Sequence, residues 1–127
     1  MTNIFPIISS IKNTLSEIDG VKSLKIGLEK GADSAMNTPL IRVVVEKTEA
    51  KGMIEDLYFQ VIIAFDTKNN LEELYEKFYN MEYDVKELLT RKLPYETYFL
   101  SSVSDEDRLN SIKAGVLRFK IAGVYRD

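Results

Sequence analysis

Residues 57–89 read LYFQVIIAFDTKNNLEELYEKFYNMEYDVKELL, and within them the apolar period changes once. Leu57, Phe59, Val61, Ile63 and Phe65 fall on one face, with Tyr58, Gln60, Ile62 and Ala64 on the other. That two-residue repeat predicts a strand with one buried face. From Leu71 the spacing becomes helical: Leu71, Leu74, Tyr75, Phe78, Met81, Val85, Leu88 and Leu89 keep one stripe for about five turns. Asn69 or Asn70 is placed to cap this helix, and Glu72 and Glu73 sit near its positive end. Pro94 follows where a helix stop is expected.

Upstream, Leu40 to Lys47 is a β-branched run with Ile41, Val43 and Val45 on one face and Leu40, Arg42, Val44 and Glu46 on the other. The short polar connection around Ala50, Lys51 and Gly52 predicts an antiparallel hairpin with the strand that follows. Leu24, Ile26 and Leu28 alternate with Lys25 and Gly27 as a shorter strand, and residues 29–38 are small and polar, hence a loop. Ile4, Ile7, Ile8, Ile11, Leu15 and Ile18 predict a first helix over residues 4–18. Thr2 or Asn3 caps it, Pro6 is tolerated in its first turn, and Gly20 ends it.

Downstream, Tyr95, Thr97, Phe99, Ser101 and Val103 alternate as one strand face. Residues 104–110 form a loop, and a last strand places Leu117, Phe119, Ile121 and Tyr125 opposite Val116, Arg118, Lys120 and Val124. The order is α-β-β-β-α-β-β. Residues 1–127 are expected to fold as one α+β domain, two helices packed on one face of a mainly antiparallel sheet.

The composition excludes several function classes. Cys and His are both absent, which removes zinc ribbons, thiol and Ser-His nucleophiles, haem ligation and His-based pH switches. A net charge of −3 gives no overall pull toward nucleic acid. The opening residues lack a basic signal-peptide start, and no apolar window reaches membrane-span length, so a soluble protein without membrane partners is expected.

The acids on the second helix, Glu72, Glu73, Glu76, Glu82, Asp84 and Glu87, alternate with Lys77 and Lys86 as a solvated face does. Asp105, Glu106 and Asp107 form the densest acidic cluster, but their spacing departs from a calcium loop and reads as a charged hairpin tip. No phosphate-binding glycine loop is present, and no cofactor is implied. No enzyme site is legible.

The sheet face away from the helices is mixed: Leu40, Arg42, Val44, Tyr58, Gln60, Ile62, Val116, Arg118 and Lys120 combine apolar and basic character. A freely solvated face is more uniformly polar, which suggests cover by another subunit or, locally, by residues 29–38. The candidate subunit or partner contacts are therefore Arg42, Tyr58, Gln60, Asp105, Glu106, Asp107, Arg118 and Lys120.

Four segments, IKNTLSEIDGVKSLKIG, TPLIRVVVEK, the strand-to-helix run at 57–89 and the closing SIKAGVLRFKIAGVYRD, together resemble the tail terminator (tail completion) proteins of long-tailed bacteriophages and prophages. The resemblance implies a non-enzymatic virion protein, assembled in the host bacterial cytoplasm. It implies a homo-oligomeric ring, commonly a hexamer, that caps the tail tube, stops its polymerisation and joins the head-connector proteins. Another neck or tail adaptor is the alternative, and a small ligand-binding or enzyme domain a further one. No catalytic residue is carried over by the resemblance.

Overall fold

A computed structural model describes residues 3–28, 38–66, 70–104 and 112–125. Its elements run α1 (Phe5–Leu15), β1 (Ser23–Ile26), β2 (Leu40–Lys51), β3 (Ile54–Asp66), α2 (Leu71–Arg91), β4 (Thr97–Ser104) and β5 (Ile112–Tyr125). The five strands form one sheet in the order β1-β2-β3-β5-β4. Only the β1–β2 pair is parallel. The chain is thus the α+β fold that its periodicities predict.

The β2–β3 hairpin is longer than the apolar alternation indicates, with Lys51 paired to Ile54 across a two-residue turn. Gly52 has φ +65° and, among the described residues, no non-glycine residue is left-handed, so only the first turn position is left-handed. That is the signature of a type II′ turn, whose twist matches the strands it joins. The arms beyond Val45 run past the apolar core, so Thr48 and Ala50 are exposed and carry no apolar signal.

The core lies between the sheet and both helices. Ile41 and Val43 of β2, Leu57, Phe59, Val61, Ile63 and Phe65 of β3, and Leu117, Phe119 and Ile121 of β5 are buried. Phe59 and Phe119 stack with centroids 5.4 Å apart. Helix α1 adds Ile7, Ile8, Ile11 and Leu15. It stops at Leu15 rather than Ile18, and the turn after it is closed by Gly20 with φ +82°. The Asn3 side chain accepts from the Phe5 amide at 3.0 Å. Thr2 lies outside the described residues.

Asn70 caps α2, its side chain accepting from the Glu73 amide at 2.9 Å. Leu74, Phe78, Met81, Val85 and Leu89 are buried beneath this helix, whereas Leu71 and Tyr75 stay exposed on its flank. Phe78 is fully buried against β5. Its ring occupies the place where a Cβ at Gly115 would stand, so any side chain there must displace the ring.

The alternation expected over residues 95–103 is broken. The β4–β5 register shifts between Phe99 and Ser101, leaving Leu100 as an extra residue. Thr97, Phe99, Ser102 and Ser104 pair with core-face residues of β5, while Tyr98, Ser101 and Val103 pair with Lys120, Arg118 and Val116 on the outer face. Phe99 keeps the core face, its ring 5.6 Å from that of Phe119, but is partly exposed because β4 is an edge strand that the helices only partly cover.

The Phe78–Gly115 contact gives a direct test. Gly115→Ala should destabilise the fold by about 1–3 kcal/mol through overpacking. Denaturant unfolding should show Phe78→Leu recovering part of that loss in the double variant, the coupling expected of touching residues.

Candidate functional site: an ionic outer face and an open edge

The outer sheet face is organised by two carboxylates. A register shift between Val45 and Lys47 leaves Glu46 as the extra residue of a bulge. There it accepts from Arg118 at 2.9 and 2.8 Å through both oxygens and from the Gln60 amide at 3.2 Å. The hydrogen bonds from Arg118 and Gln60 pull the Glu46 carboxyl down from 4.5 to about 2, and the same pairing raises Arg118.

Asp56 is the second organiser. It lies opposite a bulge in β5, where Gly123 takes φ +73° and donates its amide to Asp56 at 3.1 Å. The other Asp56 oxygen meets Lys51 at 2.9 Å and Lys120 at 3.4 Å. The Lys51 hydrogen bond, then the Gly123 amide, hold the buried Asp56 carboxyl below its ordinary range. Between these centres the Tyr58 ring is flanked by Lys47 at 4.8 Å and Lys120 at 5.8 Å.

Four of the expected contact residues, Tyr58, Gln60, Arg118 and Lys120, therefore converge on one network. Glu46 and Asp56 already engage Gln60, Arg118 and Lys120 within the chain, and the Tyr58 ring lies between two lysines. Arg42 stands apart and is corrected: it is 1% exposed, so it presents no contact surface. Its guanidinium donates to the Ser23 carbonyl at 3.1 Å, the Ile41 carbonyl at 2.9 Å and the Ser23 hydroxyl at 3.0 Å, tying β1 to β2. Leu40 and Ala64 are buried on the same face, so that end of it is covered within the chain. Asp105, Glu106 and Asp107 lie outside the described residues, as do residues 29–37.

A second surface was not anticipated from the sequence. Along β4, Tyr98, Phe99, Leu100 and Val103 are 46, 37, 43 and 65% exposed, and the strand carries no charge from Thr97 to Ser104. Its outer side pairs with no other strand of the sheet. Tyr75, Tyr79 and Tyr83 recur every fourth residue on α2 and are all exposed. Helix α2 borders this edge: Lys86 lies over the Phe99 ring at 4.9 Å and also pairs with the buried Glu82 at 3.5 Å. Lys113 of β5 is buried under Tyr75 and Phe78, at 5.4 and 5.7 Å. The signal for this surface was the four-residue tyrosine spacing beside an uncharged strand.

Among the described residues, no group of three acidic side chains converges as metal ligands, and no helix is long and apolar enough to cross a membrane. The acids between the two helices form local pairs, Glu17 with Lys92 and Glu87 with Arg91, each at 2.7 Å. The chain matches no protein-family model and no curated protein sequence. Among the described residues two surfaces stand out: a fastened ionic face and an apolar, aromatic edge.

The Glu46 clamp has a pH signature. Its folded-state pKa lies below the unfolded value, so its contribution is present above 4.5 and is lost as pH falls toward 2. In acid unfolding, the stability difference between the native chain and Glu46→Gln should shrink across that window. A constant difference from neutral pH to pH 2 would mean that Glu46 and Arg118 do not form the clamp in solution.

Proposed function

We propose that this chain is a structural protein of a bacteriophage tail. It assembles with copies of itself into a ring, caps the tail tube to stop polymerisation, and offers the surface that head-connector proteins join. The reading rests on the resemblance carried by the four sequence segments. The observation that supports it most is how side chains are spent. The ion pairs of the outer face fasten strands, while exposed Tyr98, Phe99, Leu100, Tyr79 and Tyr83 gather along one side of the domain. Aromatic residues concentrated on an exposed edge are characteristic of protein interfaces. Loops on such a rigid scaffold are free to carry the axial contacts.

A ring demands a contact surface that closes by rotation, and tube capping demands affinity for tube ends. The test mixes the purified chain with tail tube protein from the same phage or prophage. Electron microscopy is expected to show rings on one end of tubes whose growth has stopped. A chain that neither binds tube ends nor alters their length sinks the proposal. Binding to head-connector protein without binding to tubes would reassign it to a neck adaptor.

A further inference from the structure

The geometry points to β4 as a self-complementary seam: a second copy of this chain adds its own β4 antiparallel to the first, across a twofold axis between Leu100 and Ser101. The inference goes beyond the tail reading and does not need it.

The case begins with the open backbone. β4 is eight residues long and bonds to β5 on one side only. An unpaired row of amides and carbonyls recruits another strand, and natural edges are usually blunted with lysine, proline, inward charges or a bulge. Of these, β4 has only the Leu100 bulge between Thr97 and Ser104. From Thr97 to Ser104 the strand is uncharged, so two copies paired over these residues bring no like charges together.

The bulge fixes the register. In a regular strand, Tyr98 and Val103 point to opposite faces, so they cannot sit across from each other in an antiparallel pair. The extra residue at Leu100 reverses the alternation midway. Tyr98, Ser101 and Val103 consequently share the outer face, and Thr97, Phe99, Ser102 and Ser104 share the inner one. Turned about its own centre, the strand then matches itself: Tyr98 meets Val103 of the second copy, Phe99 meets Ser102, and Thr97 meets Ser104. Each of these pairs agrees in face: Tyr98 sets an aromatic against a β-branched residue, Phe99 a large residue against a small one, and Thr97 a hydroxyl against a hydroxyl. Both copies bulge at the same level, so their outer edges stay in step. The α2 helices flank the seam on the inner face, which brings the Tyr79 and Tyr83 surfaces of the two copies toward it.

The chain lacks cysteine, so engineered thiols report contacts cleanly. In this register the two Ser101 residues share a face with Cα atoms about 6 Å apart, within disulfide reach. The full chain should sediment as a concentration-dependent dimer. Oxidised Ser101→Cys should give a covalent dimer that reductant reverses. Leu100→Lys and Val103→Lys should weaken association roughly tenfold or more, with circular dichroism unchanged, while Met53→Lys at the hairpin tip should have no effect. A larger assembly in which Ser101→Cys crosslinks in pairs also supports the seam. A chain monomeric at every concentration, or an oligomer in which Ser101→Cys does not crosslink or Leu100→Lys has no effect, overturns it. None of these outcomes depends on tube protein, so a failed tube-capping assay leaves the seam standing, and a failed crosslink leaves the tube proposal standing.

Discussion

The Phe78 ring lying on Gly115 is the contact from which the arrangement of this domain follows. It brings α2 down onto β5 at a position where the strand has no side chain, and so sets where the helix crosses the sheet. With Phe78 fixed, Leu74, Met81, Val85 and Leu89 are buried along the same stripe. The helix face that carries Tyr75, Tyr79 and Tyr83 is then left beside β4. Lys113 and Lys86 lie over aromatic rings at that border, holding their stems against apolar surface.

Three bulges divide the labour on the sheet. Those at Glu46 and at Gly123 lie within paired strands, and each places a carboxylate among cations and amide donors. Because Glu46, Arg118 and Lys51 keep contact with water, such pairs contribute little net stability, and their value is in fixing which strand residues face each other. Arg42 follows a different logic. It is buried, and its Nη1 and Nη2 donate to two carbonyls and a hydroxyl of β1 and β2, while Nε has no partner among the described residues. The third bulge, at Leu100, is on an edge, where bulges re-aim side chains toward whatever lies outside the sheet.

Most of the fold was legible because its elements carry clean periods. β3 alternates without interruption, and α2 has an asparagine cap, an unbroken stripe and a proline beyond its end. The contact residues were less legible for a physical reason. A bulge shifts parity without leaving a mark in composition, so Glu46 and Asp56 were not read as the centres that organise Arg118 and Lys120. Ser101 and Val103 were placed on the Phe99 face by counting through Leu100 as though the strand were regular. Arg42 was placed on an open surface because outward-facing parity does not report what covers a strand near its end. The tyrosines of α2 were read as part of the apolar stripe or passed over, since a four-residue spacing fits either flank of a helix.

The sheet treats its two boundaries unequally. β1 is four residues long and carries Lys25, the short and charged form that resists further pairing. β4 is twice that length and uncharged, and its exposed residues include two aromatics. An edge of this kind is a hazard for a protein that works alone, since it invites unregulated pairing. Its register, however, is not permissive. The Leu100 bulge admits one face-matched antiparallel alignment about the centre of the strand and puts the one-residue slips on either side out of phase. The same extra residue that hid this strand from a reading of alternation therefore turns an indiscriminate edge into a specific one.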